Sequence, residues 1–217
     1  MALGTALRTR QMWPVLTAAA GLAIFQQIVG VNTIVYYAPT ILRAAGYTAK
    51  SAIFTTLLLS LLVNGTTIVS AKLVDRVGRR PLLIAGALGM AVAMATLGWV
   101  FSNTALSTLF GRHVALSAMI LYKVSFSLSW GPIVWVMLPE ILPLRVRAPA
   151  MGAATFLNWL FNFFVSLLFP LLLAVGAGAV FALFAICAVL ACIFVVTLLR
   201  ETMQRSVETI EVEQSFH

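Results

Sequence analysis

Charge is scarce in this chain: Asp, Glu, Lys and Arg make up only 9% of 217 residues, against 62% hydrophobic residues and a mean hydropathy of +1.04. A water-soluble domain cannot hide that much apolar surface, so the composition specifies a polytopic membrane protein. Acid is scarcer still, with six Asp and Glu in all and none inside an apolar run. That removes paired intramembrane carboxylates for acid–base chemistry and any buried acid that would relay a proton. The two cysteines, Cys187 and Cys192, lie five apart in an apolar stretch and form no CxxC motif, so they are read as packing residues. There is no HExxH motif and no nucleophile near a histidine, so the sequence predicts no enzyme, metal or cofactor. His113, beside Arg112, is read as a solvated residue at a helix entrance.

What the chain has instead is apolar length. Six blocks, roughly 13–42, 51–74, 81–102, 110–138, 149–174 and 178–199, are each long enough to cross a bilayer and are separated by clusters of charge. The expected fold class is an all-α membrane protein, a bundle of six transmembrane helices over residues 12–199 with a polar lead at 1–11 and a polar tail at 200–217. The net charge of +8 is segregated by side rather than gathered as on a nucleic-acid-binding surface, so no nucleic-acid partner is expected. Arg8, Arg10, Lys72, Arg76, Arg79, Arg80, Arg145, Arg147, Arg200 and Arg205 fall at one set of span ends; Arg43, Lys50 and Arg112 fall at the other. By the positive-inside rule both termini are cytoplasmic. Lys123 belongs to neither group, and at ~16 Å along the helix from Arg112 it is expected to snorkel outward. Arg8 and Arg10 before Ala18, Ala19 and Ala20 imitate a signal peptide, but Pro14 shortens the apolar region and the run continues past any cleavage point.

The stretch from Gln26 to Tyr37 carries three carboxamides, Gln26, Gln27 and Asn32, at membrane depth. Amides in hydrocarbon must face other helices or a wet cavity. On an ideal helix Gln26, Gly30, Asn32, Thr33, Tyr36, Tyr37 and Thr40 fall within an arc of about 160°, and Gln27 falls outside it. Unwinding at Gly30 or Pro39 would turn both glutamines inward. Uncharged amides that donate and accept, with tyrosine rings beside them, suit a neutral polyol better than an ion. The plainer reading, that amides glue helices together, fits one such residue better than this density of them.

Further along, Ser60, Asn64 and Thr67 make a stripe expected to look into the bundle. In the connection Asp75 to Pro81, Gly78 permits a turn and Pro81 suits the first position of the next helix. Span three is Ala- and Gly-rich and reads as scaffold. Span four carries Lys123, Ser127, Gly131 and Trp135 at four-residue spacing, with Gly131–Pro132 breaking the hydrogen-bond ladder; Trp135 offers a flat ring and one donor. Span five sets Asn158, Asn162 and Ser166 on one face, flanked by Trp159. Span six reads as lipid-facing support, and residues 205–213 of the tail as a short surface helix.

Five ordered motifs carry a resemblance: Gln26-Gln27-Ile-Val-Gly30-Val-Asn32 with Tyr36-Tyr37; Asp75-Arg76-Val-Gly78-Arg79-Arg80; Gly131-Pro132-Ile-Val-Trp135; Pro139-Glu140-Ile-Leu-Pro143-Leu-Arg145-Val-Arg147; and Asn158-Trp159-Leu-Phe-Asn162-Phe163. Together they resemble the sugar porter family of the major facilitator superfamily, in its C-terminal half, helices seven to twelve, and among its members the bacterial xylose- and glucose-type proton symporters. The resemblance implies sugar contacts at Gln26, Gln27, Asn32, Asn64, Trp135, Asn158, Trp159 and Asn162, and an outer gate at Tyr36 and Tyr37. It implies a cytoplasmic latch of Asp75, Arg76, Arg79, Arg80, Glu140 and Arg145. The implied activity is alternating-access transport of a hexose or pentose, proton-coupled in the complete protein, in a bacterial plasma membrane. The proton-responsive acid of such proteins belongs to the first six helices, so the chain is read as part of a longer transporter, or as one that pairs with a separate N-terminal six-helix half. A membrane sugar sensor that binds without flux, or an inactive truncated half-transporter, is the alternative. Departures from the family pattern are Ala71, Arg200, Met203 and Gln204, and Ser127 where facilitative relatives carry Glu.

Overall fold

Residues 12–103 and 109–199 are described in a computed structural model, and among them every regular element is a helix. In chain order these are α1 (Trp13–Ile28), α2 (Val31–Tyr36), α3 (Ala38–Ala44), α4 (Ala49–Val77), α5 (Arg79–Ser102), α6 (Leu109–Leu128), α7 (Trp130–Ile141), α8 (Arg147–Val175) and α9 (Ala177–Leu198). They make six membrane-crossing segments, because α1 with α2 forms one broken span and α6 with α7 another. The expected lead at 1–11, the tail at 200–217 and its surface helix lie outside the described residues.

The elements end where the sequence supplies a reason. Thr48 caps α4, its Oγ1 accepting from the Ser51 N–H at 3.3 Å. Gly78, at φ 94°, is the single residue between α4 and α5, a conformation open to glycine and costly for other residues. Pro81 stands third in α5 rather than first; it still lies in the opening turn, where no intrahelical donor is required. Pro139 and Glu140, expected in a connection, are the last full turn of α7, and the connection proper is residues 142–146.

Span three is the scaffold that its composition predicts. α5 packs against α9 and α6, and its small residues let backbones meet: a methyl group added at Gly98 would stand 3.2 Å from the Gly178 carbonyl and the Ala182 nitrogen. Span six is only half lipid-facing, since Phe181, Phe184, Ala188, Ala191 and Val195 are buried, while Leu183, Ile186 and Leu190 are exposed. α4 and α8 are the least covered spans; in α4 only Ala52, Leu59, Ser70 and Val74 are buried. α1 lies among α8, α7 and α9, which places its glutamines at the centre of the helix contacts.

Candidate functional site

The first span breaks at Val29 and Gly30. Gly30 takes φ 88°, and a methyl group there would press on the Phe184 ring at 2.9 Å, so both the backbone angle and the space select glycine. Gln26 and Gln27, adjacent in the unbroken α1, are both buried because α1 lies among α7, α8 and α9; the break lies beyond them and brings Asn32 back toward Gln27 instead.

Around that break the amides form one chain of hydrogen bonds. Asn32 Nδ2 donates to Gln27 Oε1 at 2.7 Å, and Gln27 Nε2 donates to Asn158 Oδ1 at 2.9 Å. Asn158 Nδ2 donates to Gln26 Oε1 at 2.7 Å and to the Ala23 carbonyl at 3.0 Å. Gln26 Nε2 closes the deep end on the Trp130 and Gly131 carbonyls at 2.8 and 3.2 Å. Three spans are therefore tied through four side chains. Asn32 and Gln27 are five residues apart, about 140° around an ideal helix, so only a broken helix brings them together. The chain runs from a half-buried end at Asn32 to a fully covered end at Gln26. Every inner amide has donors and acceptors engaged, as low-dielectric surroundings demand. Asn32 alone shows a single bond, leaving its carbonyl oxygen and one N–H for another group.

Span four breaks at Ser129, between α6 and α7, three residues before Pro132. The Trp130 indole, which sequence reasoning passed over, is fully buried and donates to the Leu83 carbonyl at 2.9 Å. Tyr122 is a second omission: it is buried, and its hydroxyl donates to the Val29 carbonyl at 2.9 Å, in the break of the first span. Neither carries a sequence signal, because each bonds a backbone carbonyl of another span.

Other expected residues are placed differently. Asn162 is buried at the edge of the site and accepts from Ser166 Oγ at 3.1 Å, without joining the chain of amides. Tyr37 is half-buried, lies against Phe169 with ring centroids 4.8 Å apart, and donates weakly to the Ser166 carbonyl at 3.4 Å, whereas Tyr36 is exposed. Trp135 is 39% and Trp159 62% exposed, and neither indole has a hydrogen bond among the described residues. The inward orientation expected of the Asn64 stripe is a correction. Asn64 is exposed, and its stripe partners Ser60 and Thr67 are exposed too, bonding back to the Thr56 and Val63 carbonyls of their own helix. The inward face of α4 is instead set by Thr66, whose hydroxyl meets Ser127, and by Ser70.

Lys123 corrects a second expectation. It is 6% exposed and has neither ion pair nor hydrogen bond among the described residues. Fourteen residues from the start of α6, about 21 Å of helix, it is too deep for its stem to reach the bundle end.

At the basic end, Arg79 Nη2 pairs with Glu140 Oε1 at 3.0 Å, joining the start of α5 to the end of α7. Arg80 Nη2 donates to the Val196 carbonyl at 2.7 Å, and Arg147 Nε to Leu142 at 3.1 Å. The wider network expected there does not form among the described residues: Asp75, Arg76 and Arg145 are exposed and show no ion pair.

Residues 1–213 match the family described as "Sugar (and other) transporter". The "Probable metabolite transport protein CsbC" of Bacillus subtilis is 38% identical over 94% of this chain and 44% of its own length. The "D-xylose-proton symporter" of Escherichia coli K12 is 40% identical over 70% of this chain and 30% of its own. The solved structure of the proton:xylose symporter XylE bound to 6-bromo-6-deoxy-D-glucose superposes with a TM-score of 0.82 at 34% identity, covering 92% of this chain and 42% of that one. The chain thus spans less than half the length of these relatives. A six-span helical bundle of the major facilitator fold, an ordered motif series and a family match over nearly the whole sequence agree, and the chain belongs to the sugar transporter family of membrane carriers, which are not enzymes.

Proposed function

We propose that this chain is the sugar-binding six-helix bundle of a monosaccharide transporter that works by alternating access. The observation carrying this reading is the amide chain Asn32–Gln27–Asn158–Gln26, drawn from spans one and five and anchored on span four, with a half-buried open end. Carboxamides both donate and accept, as sugar hydroxyls do, so a hexose or pentose can exchange bonds with them one for one. Within the bundle they satisfy each other; a sugar arriving at Asn32 replaces those internal bonds. The exposed rings of Trp135, Trp159 and Tyr36 and the amides of Asn64 and Asn162 then serve a sugar held between this bundle and an N-terminal six-helix half, in the same polypeptide or a separate one, with Tyr36 and Tyr37 as the outer gate. The Arg79–Glu140 pair is the core of the latch at the basic end, with Asp75, Arg76, Arg80 and Arg145 joining it across to that half. Both termini lie on the cytoplasmic side of a bacterial plasma membrane, and proton coupling resides in the half that supplies the acid these spans lack.

Sugar counterflow tests the reading. Proteoliposomes holding the complete transporter should exchange labelled glucose or xylose for internal sugar and lose that exchange with Gln27→Ala at unchanged expression. Saturable sugar binding without exchange would instead identify a sensor, and neither activity would leave the reading without support.

A further inference from the structure

The break in span one leaves a specific polar imbalance. In a continuous helix the Val29 carbonyl would accept from Thr33, four residues on. Here it does not: the carbonyl accepts from Tyr122 Oη at 2.9 Å, a donor from a different span. The Thr33 hydroxyl is fully buried and has no hydrogen-bond partner, although a threonine in a helix ordinarily bonds back to the carbonyl four residues earlier. Two hydroxyls, one engaged and one idle, thus belong to the same carbonyl: Tyr122 bonds it in the broken form, and Thr33 stands four residues on, where a continuous helix brings its hydroxyl to it. Next to them, Gly30 at φ 88° provides a joint that can straighten without a side-chain penalty.

We infer that Tyr122 is a positioning residue: its hydroxyl holds span one broken, and transfer of the Val29 carbonyl from Tyr122 to Thr33 straightens the helix and opens the amide chain for the sugar. The inference rests on the sugar-binding reading above and supplies its opening step. The Gln27–Asn32 bond exists only because the helix is broken, so straightening separates the two side chains and frees the Gln27 oxygen together with both Asn32 groups. Straightening also costs little in hydrogen bonds, because Thr33 replaces the donor that Val29 loses. Tyr122 is hydrogen-bonded to neither amide, and its bond to the Val29 carbonyl carries its effect through the backbone of span one. Its buried ring keeps the phenol aimed at the joint.

The test is a distance measurement across the joint in the full chain in lipid nanodiscs. With Cys187 and Cys192 replaced by Ala, spin labels at the exposed positions Thr17 and Val35 report the bent and straight forms; a straight helix sets them about 27 Å apart. Tyr122→Phe should shift the population toward the straight form by roughly fivefold, the effect of one hydrogen bond. Thr33→Val, with the hydroxyl replaced by a methyl group of equal size, should shift it the other way, and should reduce the effect of Tyr122→Phe when the two are combined. An unchanged distance in Tyr122→Phe, or equal effects with and without the Thr33 hydroxyl, would overturn the inference. Thr33→Val preserves Tyr122 and its bond, so it keeps the test decisive if Tyr122→Phe does not fold. Calorimetric titration of the same variants with glucose separates the two readings: distances that shift as expected without sugar binding would remove the sugar site and leave the switch standing.

Discussion

Ser70 Oγ donates to the Leu128 carbonyl at 2.8 Å, the group that Pro132, four residues further on and without an N–H, cannot bond. The relationship recurs in span five, where Pro170 leaves the Ser166 carbonyl without its donor and Tyr37 Oη stands 3.4 Å from it. Prolines open carbonyls at membrane depth, and hydroxyls from neighbouring spans take them up, which is how broken helices are tolerated in lipid.

Ser70→Ala should therefore destabilise the bundle by about 1 kcal/mol, in the range of interhelical bonds within membranes. Pro132→Ala restores the intrahelical donor, so the Ser70→Ala cost should fall toward zero in that background. A double-mutant cycle on denaturation midpoints in detergent checks this; an unchanged Ser70→Ala cost would mean that the bond contributes nothing.

Gln27 is the middle link of the amide chain, bonded to Asn32 on one side and Asn158 on the other. Gln27→Ala should leave the Asn32 amide and the Asn158 oxygen without their partner and lower sugar affinity by about five- to 150-fold, since one buried charge-free bond lost with its partner stranded costs roughly 1–3 kcal/mol. Asn64→Ala, in an exposed side chain outside the chain, should have a smaller effect. Equal losses in uptake assays would disperse the site over the surface.

Gly30→Ala faces both a positive φ and the Phe184 ring. Roughly 1–2 kcal/mol of backbone cost plus displacement of that ring should follow. Thermal unfolding of Gly30→Ala beside Gly65→Ala, where the added methyl group meets open space, measures the difference; equal midpoints would contradict the packing at the joint.

Lys123 sits at depth without an acid or hydrogen bond among the described residues. Lys123→Met keeps the stem's volume and deletes the charge, so it should raise the denaturation midpoint, as removal of uncompensated buried charge does. A lower midpoint would show that the ammonium has a stabilising partner.

Arg79 and Glu140 are partly exposed, so Glu140→Gln should change stability by less than about 1 kcal/mol. Its larger effect belongs to transport: weakening the latch should bias the complete transporter toward opening at the basic end, read as a changed ratio of inward to outward accessibility in cysteine labelling. An unchanged ratio would demote the pair to a surface contact.

The sequence by itself determined the number of spans, the membrane class, the scaffold role of span three, and the density of amides in spans one and five, because apolar length and intramembrane polarity are costs that each segment meets alone. Gly30, Gly78 and Pro132 were legible for the same reason, as local backbone constraints. Only the tertiary structure decided which polar groups meet. Asn64 and Asn158 look equally functional in sequence, yet one is exposed and the other links Gln26 to Gln27. Helical periodicity places a side chain on a face but does not say what lies opposite that face. Tyr122 and Trp130 were invisible for that reason: each bonds a backbone carbonyl of another span, and an acceptor present at every residue leaves no mark in the sequence.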